Sequence, residues 1–278
     1  MSDYFTLTKP GIVRGNTITA IAAFLFASVS PIAWAPCFAM AIGTAAVIAS
    51  ACVFNNYFDR HLDAKMARTQ KRALVTGTIS TQHALVFGVL LLICGVLVLF
   101  FHTTTYATAA AVLAWASYVF VYTPLKPYTH HATIIGTIPG ALPPLVGYFS
   151  VTPQIDALSL LLFLALITWQ MPHFIAIALF RNQEYEAAGI PTLVHELGVP
   201  TSLFLSLLYQ TLFGATVFVL GLISPMHWFY YGAIALTCVW WGIGIYALRA
   251  PNKDVVAVQS FRVSLLVLLA FSIGIALS

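Results

Sequence analysis

Nine apolar blocks of about 18 to 24 residues dominate this chain, and a run of that length crosses a bilayer as one helix at about 1.5 Å per residue. They lie near 12–33, 36–54, 84–102, 104–121, 132–150, 157–180, 202–223, 227–248 and 260–278. Turn residues mark several borders, including Ser30-Pro31, Thr123-Pro124, Pro153 and Ser224-Pro225. Only His102 to Thr105 separate the third block from the fourth, so that division is the narrowest. The longest connection runs from about 55 to 83 and leaves no room for a soluble domain. The expectation is an all-α membrane protein of about nine transmembrane helices, with residues 1–278 as one domain.

The cations test that count. With the N-terminus inside, the inner segments hold Lys9, Arg14, Arg60, Lys65, Arg68, Lys71, Arg72, Lys126, Arg181, Arg249, Lys253 and Arg262, which is all 12 Lys and Arg residues. The opposite loops, around 30–36, 102–104, 150–156 and 224–228, hold none. Such segregation is the positive-inside pattern, and losing or gaining one span would scatter the cations over both faces. The N-terminus is therefore read as cytoplasmic and the C-terminus as lying on the opposite side. Among the acids only Asp156 falls outside.

A hydrophobic share of 60% puts the chain beyond the soluble range, and the net charge of +4 says little about partners because the cations sit in short loops. No basic face suited to nucleic acid is present. Cys37, Cys52, Cys94 and Cys238 lie in or beside apolar blocks without paired spacing, which argues against disulfides and against a zinc site. The N-terminal residues lack the pattern of a cleavable signal, so the first span is read as the insertion signal.

Only 7% of residues are charged, yet seven of them fall between Asn55 and Gly77. Asn55, Asp59 and Asp63 recur every fourth residue, which on a helix places three oxygen-bearing side chains on one face about 6 Å apart along the axis. Hard divalent cations take such ligands, and Mg²⁺ usually completes its shell with water and substrate phosphates. A solvated helix end is the competing reading, but two carboxylates one turn apart repel, and a bound cation relieves that. Arg68, Lys71 and Arg72 follow. They suit phosphate oxygens beside a metal, and equally suit an orientation signal or a lipid-headgroup anchor.

A second charged loop holds Arg181, Glu184, Tyr185 and Glu186. Alone it reads as a solvated turn, while its place after the sixth span lets it face the first loop across one opening. Within that span, Trp169-Gln170-Met171-Pro172-His173 sets two polar side chains in an apolar run, which calls for a cavity or a partner helix. Tyr118 and Tyr122, ahead of Lys126, line the same cavity or pack in the core. The Ile138–Leu145 stretch, with Pro139, Pro143 and Pro144, is expected to break the fifth helix. His130 and His131 read as loop residues.

Asn55-x-x-x-Asp59-x-x-x-Asp63, followed by Arg68 and Arg72, resembles the first Asp-rich motif of the UbiA superfamily of intramembrane prenyltransferases. Thr8-Lys-Pro-Gly11 with Asn16, Cys52-Val-Phe-Asn-Asn-Tyr57, Trp169-Gln-Met-Pro-His173 and Ala188-Gly-Ile-Pro191 are similar to the branch that farnesylates haem. The resemblance implies a central cavity with Mg²⁺ and diphosphate at its cytoplasmic end, in the inner membrane of a bacterium. The substrates it implies are farnesyl diphosphate and haem B, with haem O as product. A haem A synthase or terminal-oxidase assembly protein is the partner it points to. It assigns Asn55, Asp59, Asp63 and Glu184 to the metal, and Arg68, Arg72 and Lys126 to the diphosphate. Lys71, Arg14, Arg181 and Tyr122 join the binding site, and His173 is placed near the macrocycle as iron ligand or polar contact. The second Asp-x-x-x-Asp motif of many members is absent, since this loop has Gln183-Glu184. Two alternatives stay open: another acceptor of the same family, aromatic or tetrapyrrole, and a transporter with a cationic vestibule. Crowding of charge on one face disfavours the transporter.

Overall fold

The computed structural model describes residues 3–224 and 227–278; Pro225 of the Ser224-Pro225 turn lies outside them. Among the described residues nine helices are long and apolar enough to cross a membrane. They are α1 Pro10–Ala27, α2 Trp34–Asp63, α3 Thr81–His102, α4 Thr105–Leu125, α5 Ala132–Phe149, α6 Ala157–Phe180, α7 Leu193–Ile223, α8 Trp228–Arg249 and α9 Lys253–Ala276. The division between α3 and α4 holds, because Thr103 and Thr104 are extended and the Thr104 hydroxyl accepts from the Ala107 amide to cap α4.

Four boundaries depart from the sequence reading. Helix α1 stops at Ala27 rather than near 33, where Ser28 turns extended ahead of Pro31. Helix α2 continues to Asp63, so the Asn55–Asp63 motif is its own last turns. At about 45 Å its 30 residues exceed the roughly 30 Å hydrocarbon layer. Helix α7 starts at Leu193 and α9 at Lys253, each earlier than expected and each capped by a side chain, Thr192 and Asn252. Within α7 the backbone leaves helical geometry at Gly198, whose φ of 77° suits glycine.

The fifth helix corrects an expectation. Residues Thr137–Phe149 stay helical with Pro143 and Pro144 inside, and the interruption falls earlier, at Gly136 between two helical pieces. Proline's fixed φ is compatible with the helix, although each interior ring removes an N–H donor and crowds the carbonyl four residues back. Gly136 is where Tyr122 presses closest: a Cβ there would lie 2.7 Å from its ring.

Small residues bring the helices together. Gly43 of α2 and Gly95 of α3 face each other, with each virtual Cβ 3.0 Å or less from the other's carbonyl oxygen. Gly147 of α5 lies against α1 so closely that a Cβ would meet the Ala20 oxygen at 1.9 Å. Such contact is how helices associate in lipid, where burying apolar area gains little. Outward faces carry Phe38, Phe100, Phe101, Phe204 and Leu222, all exposed, as suits contact with lipid chains. Asp156, the lone outer acid, caps α6 through Ser159 and accepts from the Tyr148 hydroxyl at 2.6 Å.

The helices enclose a cavity of about 640 Å³ lined, among the described residues, by α1, α2, α4, α5, α6 and α9 and by none of α3, α7 and α8. Its wall is mostly apolar, with Ile48, Val47, Ala114, Pro139, Leu166 and Leu268 among its residues. In α4 the residues Ser117–Tyr122 form a wide π turn. Thr123 closes that turn by donating both its amide and its hydroxyl to the Tyr118 oxygen. The extra residue per turn keeps Tyr118 and Tyr122 both on the cavity wall, their rings 5.2 Å apart.

Candidate active site

Cys52 lines the cavity, and from the next turn of α2 Asn55, Asp59 and Asp63 climb away from it. All three are buried, at 2%, 3% and 1% exposure, which rules out the solvated helix end. Buried charges require partners, and each motif side chain has its own cation. Lys9 Nζ donates to Asn55 Oδ1. Lys126 Nζ donates to Asp59 Oδ2 at 2.8 Å, and Arg72 Nη1 to Asp63 Oδ2 at 2.5 Å. The Asn55 amide is further oriented by donating to Thr123 Oγ1 at 3.0 Å.

These cations come from three separate places in the chain. Lys9 caps α1 in a left-handed conformation, φ 50°. Lys126 follows the π-turned end of α4, one turn beyond Tyr122. Arg72 follows a chain of tight turns stapled by the Thr69 hydroxyl donating to the Asp63 oxygen. Burial pushes the Lys9 ammonium down to about 8. Burial alone would also lower Lys126, but the adjacent Asp59 carboxylate outweighs it and holds the pKa above the usual lysine value. Asn56, beside the motif, donates to the Leu7 and Cys52 oxygens and so ties the N-terminal turn to α2.

The two charged loops meet. Met66 packs with Ala188 and Ile190, flanked by Leu62 and Tyr185, and Arg68 Nε approaches Glu184 Oε2 at 3.8 Å. Glu184 also faces Arg181 at 3.4 Å. Its carboxylate thus engages two guanidinium groups rather than the Asn55–Asp63 face. Burial and then the neighbouring Arg181 and Arg72 cations lower the pKa of Arg68. Lys71 is exposed, and Arg14 is exposed with Nε on the Pro10 oxygen of its own helix. The structure does not bring either into the cluster.

Tyr122 and His173 line the cavity. Gln170, also on the cavity wall, donates its amide to the Thr137 and Leu166 oxygens, and Gly140 leaves room for it. Lys9, Thr123 and Ser264 are the polar residues that sequence reasoning left without a role. Lys9 carried a signal, since it sits in the Thr8-Lys-Pro motif, but its partner is 46 residues away.

The donor set can be tested for metal. Among the described residues no three His, Cys, Asp or Glu side chains gather as a ready-made metal cluster. What exists is one amide and two carboxylate oxygens on one buried face, all hard donors, ringed by cations. That suits Mg²⁺ held together with an anionic substrate, not a closed protein cage.

Residues 16–266 match the UbiA prenyltransferase family. The chain is 40% identical to protoheme IX farnesyltransferase of Protochlamydia amoebophila over 276 residues, 98% of this chain and 96% of that one. It is 38% identical to protoheme IX farnesyltransferase of Cronobacter sakazakii, covering 98% and 93%. Its fold is similar to that of a UbiA homologue from Archaeoglobus fulgidus solved with DMAPP and Mg²⁺, with TM-score 0.76, 15% identity and full coverage of both chains.

Proposed function

The chain belongs to the UbiA prenyltransferase family, and from that premise we propose that it transfers the farnesyl group of farnesyl diphosphate to the 2-vinyl group of haem B, with addition of water, to give haem O. The enzyme is a prenyltransferase; the prenyl donor and the acceptor are the proposed parts. The observation that carries the reading is the buried Asn55–Asp59–Asp63 face, each of whose side chains has its own cation, set at the end of a large apolar cavity.

Asn55, Asp59 and Asp63 are the residues that would hold Mg²⁺. Bound with the diphosphate, Mg²⁺ neutralises charge on the leaving group. Lys9, Lys126, Arg72 and Arg68 are the protein's own share of that task. They stand where diphosphate oxygens bind and stabilise the negative charge that grows as the allylic C–O bond breaks. Glu184, flanked by Arg68 and Arg181, orients those guanidinium groups. The bonding pair leaves with the diphosphate, and the farnesyl C1 cation is taken by the vinyl terminal carbon. Water then adds at the inner vinyl carbon and loses a proton. The apolar wall keeps water from the allylic cation before the vinyl group reaches it. Tyr118 and Tyr122 present phenol rings on that wall, and His173 lies beside the macrocycle.

The cation-rich end faces the cytoplasm of a bacterial inner membrane in this reading, with the C-terminus outside, and the whole chain works as one domain. A haem A synthase or terminal-oxidase assembly protein would receive the product. The reaction is tested with purified protein, farnesyl diphosphate and haem B. Wild type should release diphosphate and form haem O only with Mg²⁺, and Asp63→Ala should do neither while remaining folded in the membrane. Normal turnover by Asp63→Ala would refute the site.

A further inference from the structure

The imidazole of His173 is held on three sides. Trp169 stacks on one face, with ring centres 4.8 Å apart and planes at 22°, and Phe261 covers it from α9 at 4.9 Å and 30°. Along the third side, Nδ1 lies 2.7 Å from Ser264 Oγ. Ser264 is fully buried, and its hydroxyl also sits 2.6 Å from the Phe261 oxygen. A carbonyl oxygen can only accept, so the one hydroxyl proton of Ser264 is committed there. Ser264 Oγ must then accept from His173, which puts the imidazole proton on Nδ1. Nε2 is left with a bare lone pair. Among the described residues it has no hydrogen-bond partner and is not one of the buried partnerless atoms, while His173 lines the cavity, so the open edge of the ring faces that space.

The other polar side chains on the wall are Asn16, Thr19, Thr44, Gln170, Cys52, Tyr118 and Tyr122, and the amides and aliphatic hydroxyls among them are hard oxygen ligands, poorly suited to haem iron. A thiol or phenol must lose a proton before it ligates a metal ion well. Neutral imidazole needs no such step. Its partner on the far nitrogen is the usual device for fixing tautomer and orientation in a ligating histidine.

We propose that Ser264 is a positioning residue that holds His173 as the Nδ1–H tautomer, so that Nε2 is the axial ligand to the iron of the haem acceptor. This rests on the haem reading of the preceding section. Clamping by Trp169 and Phe261 prevents the ring from turning away, and the iron–nitrogen bond then fixes where the macrocycle sits. Trp169 Nε1 donates to the Ser264 backbone oxygen at 2.8 Å, so replacing the Ser264 side chain leaves that contact in place.

The test is titration of ferric haem B into the detergent-solubilised protein without prenyl donor, followed by absorption and electron paramagnetic resonance. Wild type should give a nitrogen-ligated iron signature. His173→Ala and His173→Gln should still take up haem but lose that signature, and added imidazole should restore it in His173→Ala. Ser264→Ala should keep it with ligation about fivefold weaker, the worth of one neutral hydrogen bond. An unchanged iron spectrum in both His173 variants would overturn the proposal while leaving the haem reading standing. Failure of wild type to bind haem at all would overturn the haem reading, and this assignment with it.

Discussion

The pair formed by Asp59 and Lys126 allows the site to be separated into structural and chemical parts. Their charged atoms are 2.8 Å apart, with side chains 4% and 20% exposed. At an effective dielectric of about 20 the gross attraction is about 6 kcal/mol, and desolvation of the two ions offsets much of it. Removing one partner of a buried pair costs about 3 to 5 kcal/mol, because the other is left uncompensated. The residual exposure of Lys126 lets water reach it, which puts the expected cost at the lower end, about 3 kcal/mol. Asp59→Asn and Lys126→Met should each lower the unfolding free energy by that order, and the double variant should cost little more than either alone. The coupling energy should be about 2 to 3 kcal/mol. Activity should behave differently. A side chain that stabilises developing charge contributes about 10²- to 10³-fold, so the double variant should be as inactive as the singles or worse. Unfolding in mixed SDS–detergent micelles, followed by circular dichroism, gives the first quantity, and Mg²⁺-dependent diphosphate release the second. The reasoning fails if the single variants keep wild-type stability, or if the double variant's loss equals the sum of the singles.

Three further outcomes follow from the same geometry. Gly147→Ala should destabilise strongly, because its Cβ would meet the Ala20 backbone oxygen at 1.9 Å and force α1 from α5; thermal denaturation of the purified variant reads this, and wild-type stability would show that the helices do not approach so closely. Arg72→Ala should cost about 3 kcal/mol of stability and nearly all turnover, whereas exposed Lys71→Ala should stay within about 0.5 kcal/mol of wild type and keep most of its activity. Reporter fusions test orientation: a periplasm-dependent phosphatase should be active when joined after Ser278 and silent when joined at Lys71, and the reverse pattern would invert the topology.

The nine helices could be read from sequence because twenty-residue apolar runs admit few other structures in lipid. Helix ends were harder. Helix α7 begins at Leu193 and α9 at Lys253 because Thr192 and Asn252 cap them, and a cap lies outside the hydropathy signal. The prolines of α5 suggested a break where their φ in fact suits the helix, and the interruption sits instead at the glycine pressed by Tyr122. In the site, spacing revealed the Asn55–Asp59–Asp63 face because its three members belong to one helix. The choice of cation for each oxygen is a tertiary matter: Lys126 reaches Asp59 across 67 positions. Lys9 stood out in the Thr8-Lys-Pro-Gly11 motif, but nothing in the sequence pairs it with Asn55, 46 positions away. Ser264 gave no signal at all, since a serine in an apolar helix is ordinary until the imidazole of His173 is set against it.

The central claim is that the acid face and its cations ionise farnesyl diphosphate next to a haem acceptor. Its most direct test is the haem extracted from cells that make haem B but lack their own haem O synthesis, separated by chromatography and weighed. Cells expressing this chain should contain a species heavier than haem B by one farnesyl and one hydroxyl group, and cells expressing Asp59→Asn at equal membrane abundance should contain haem B alone. Haem B alone in both, or the heavier species in both, would contradict the account.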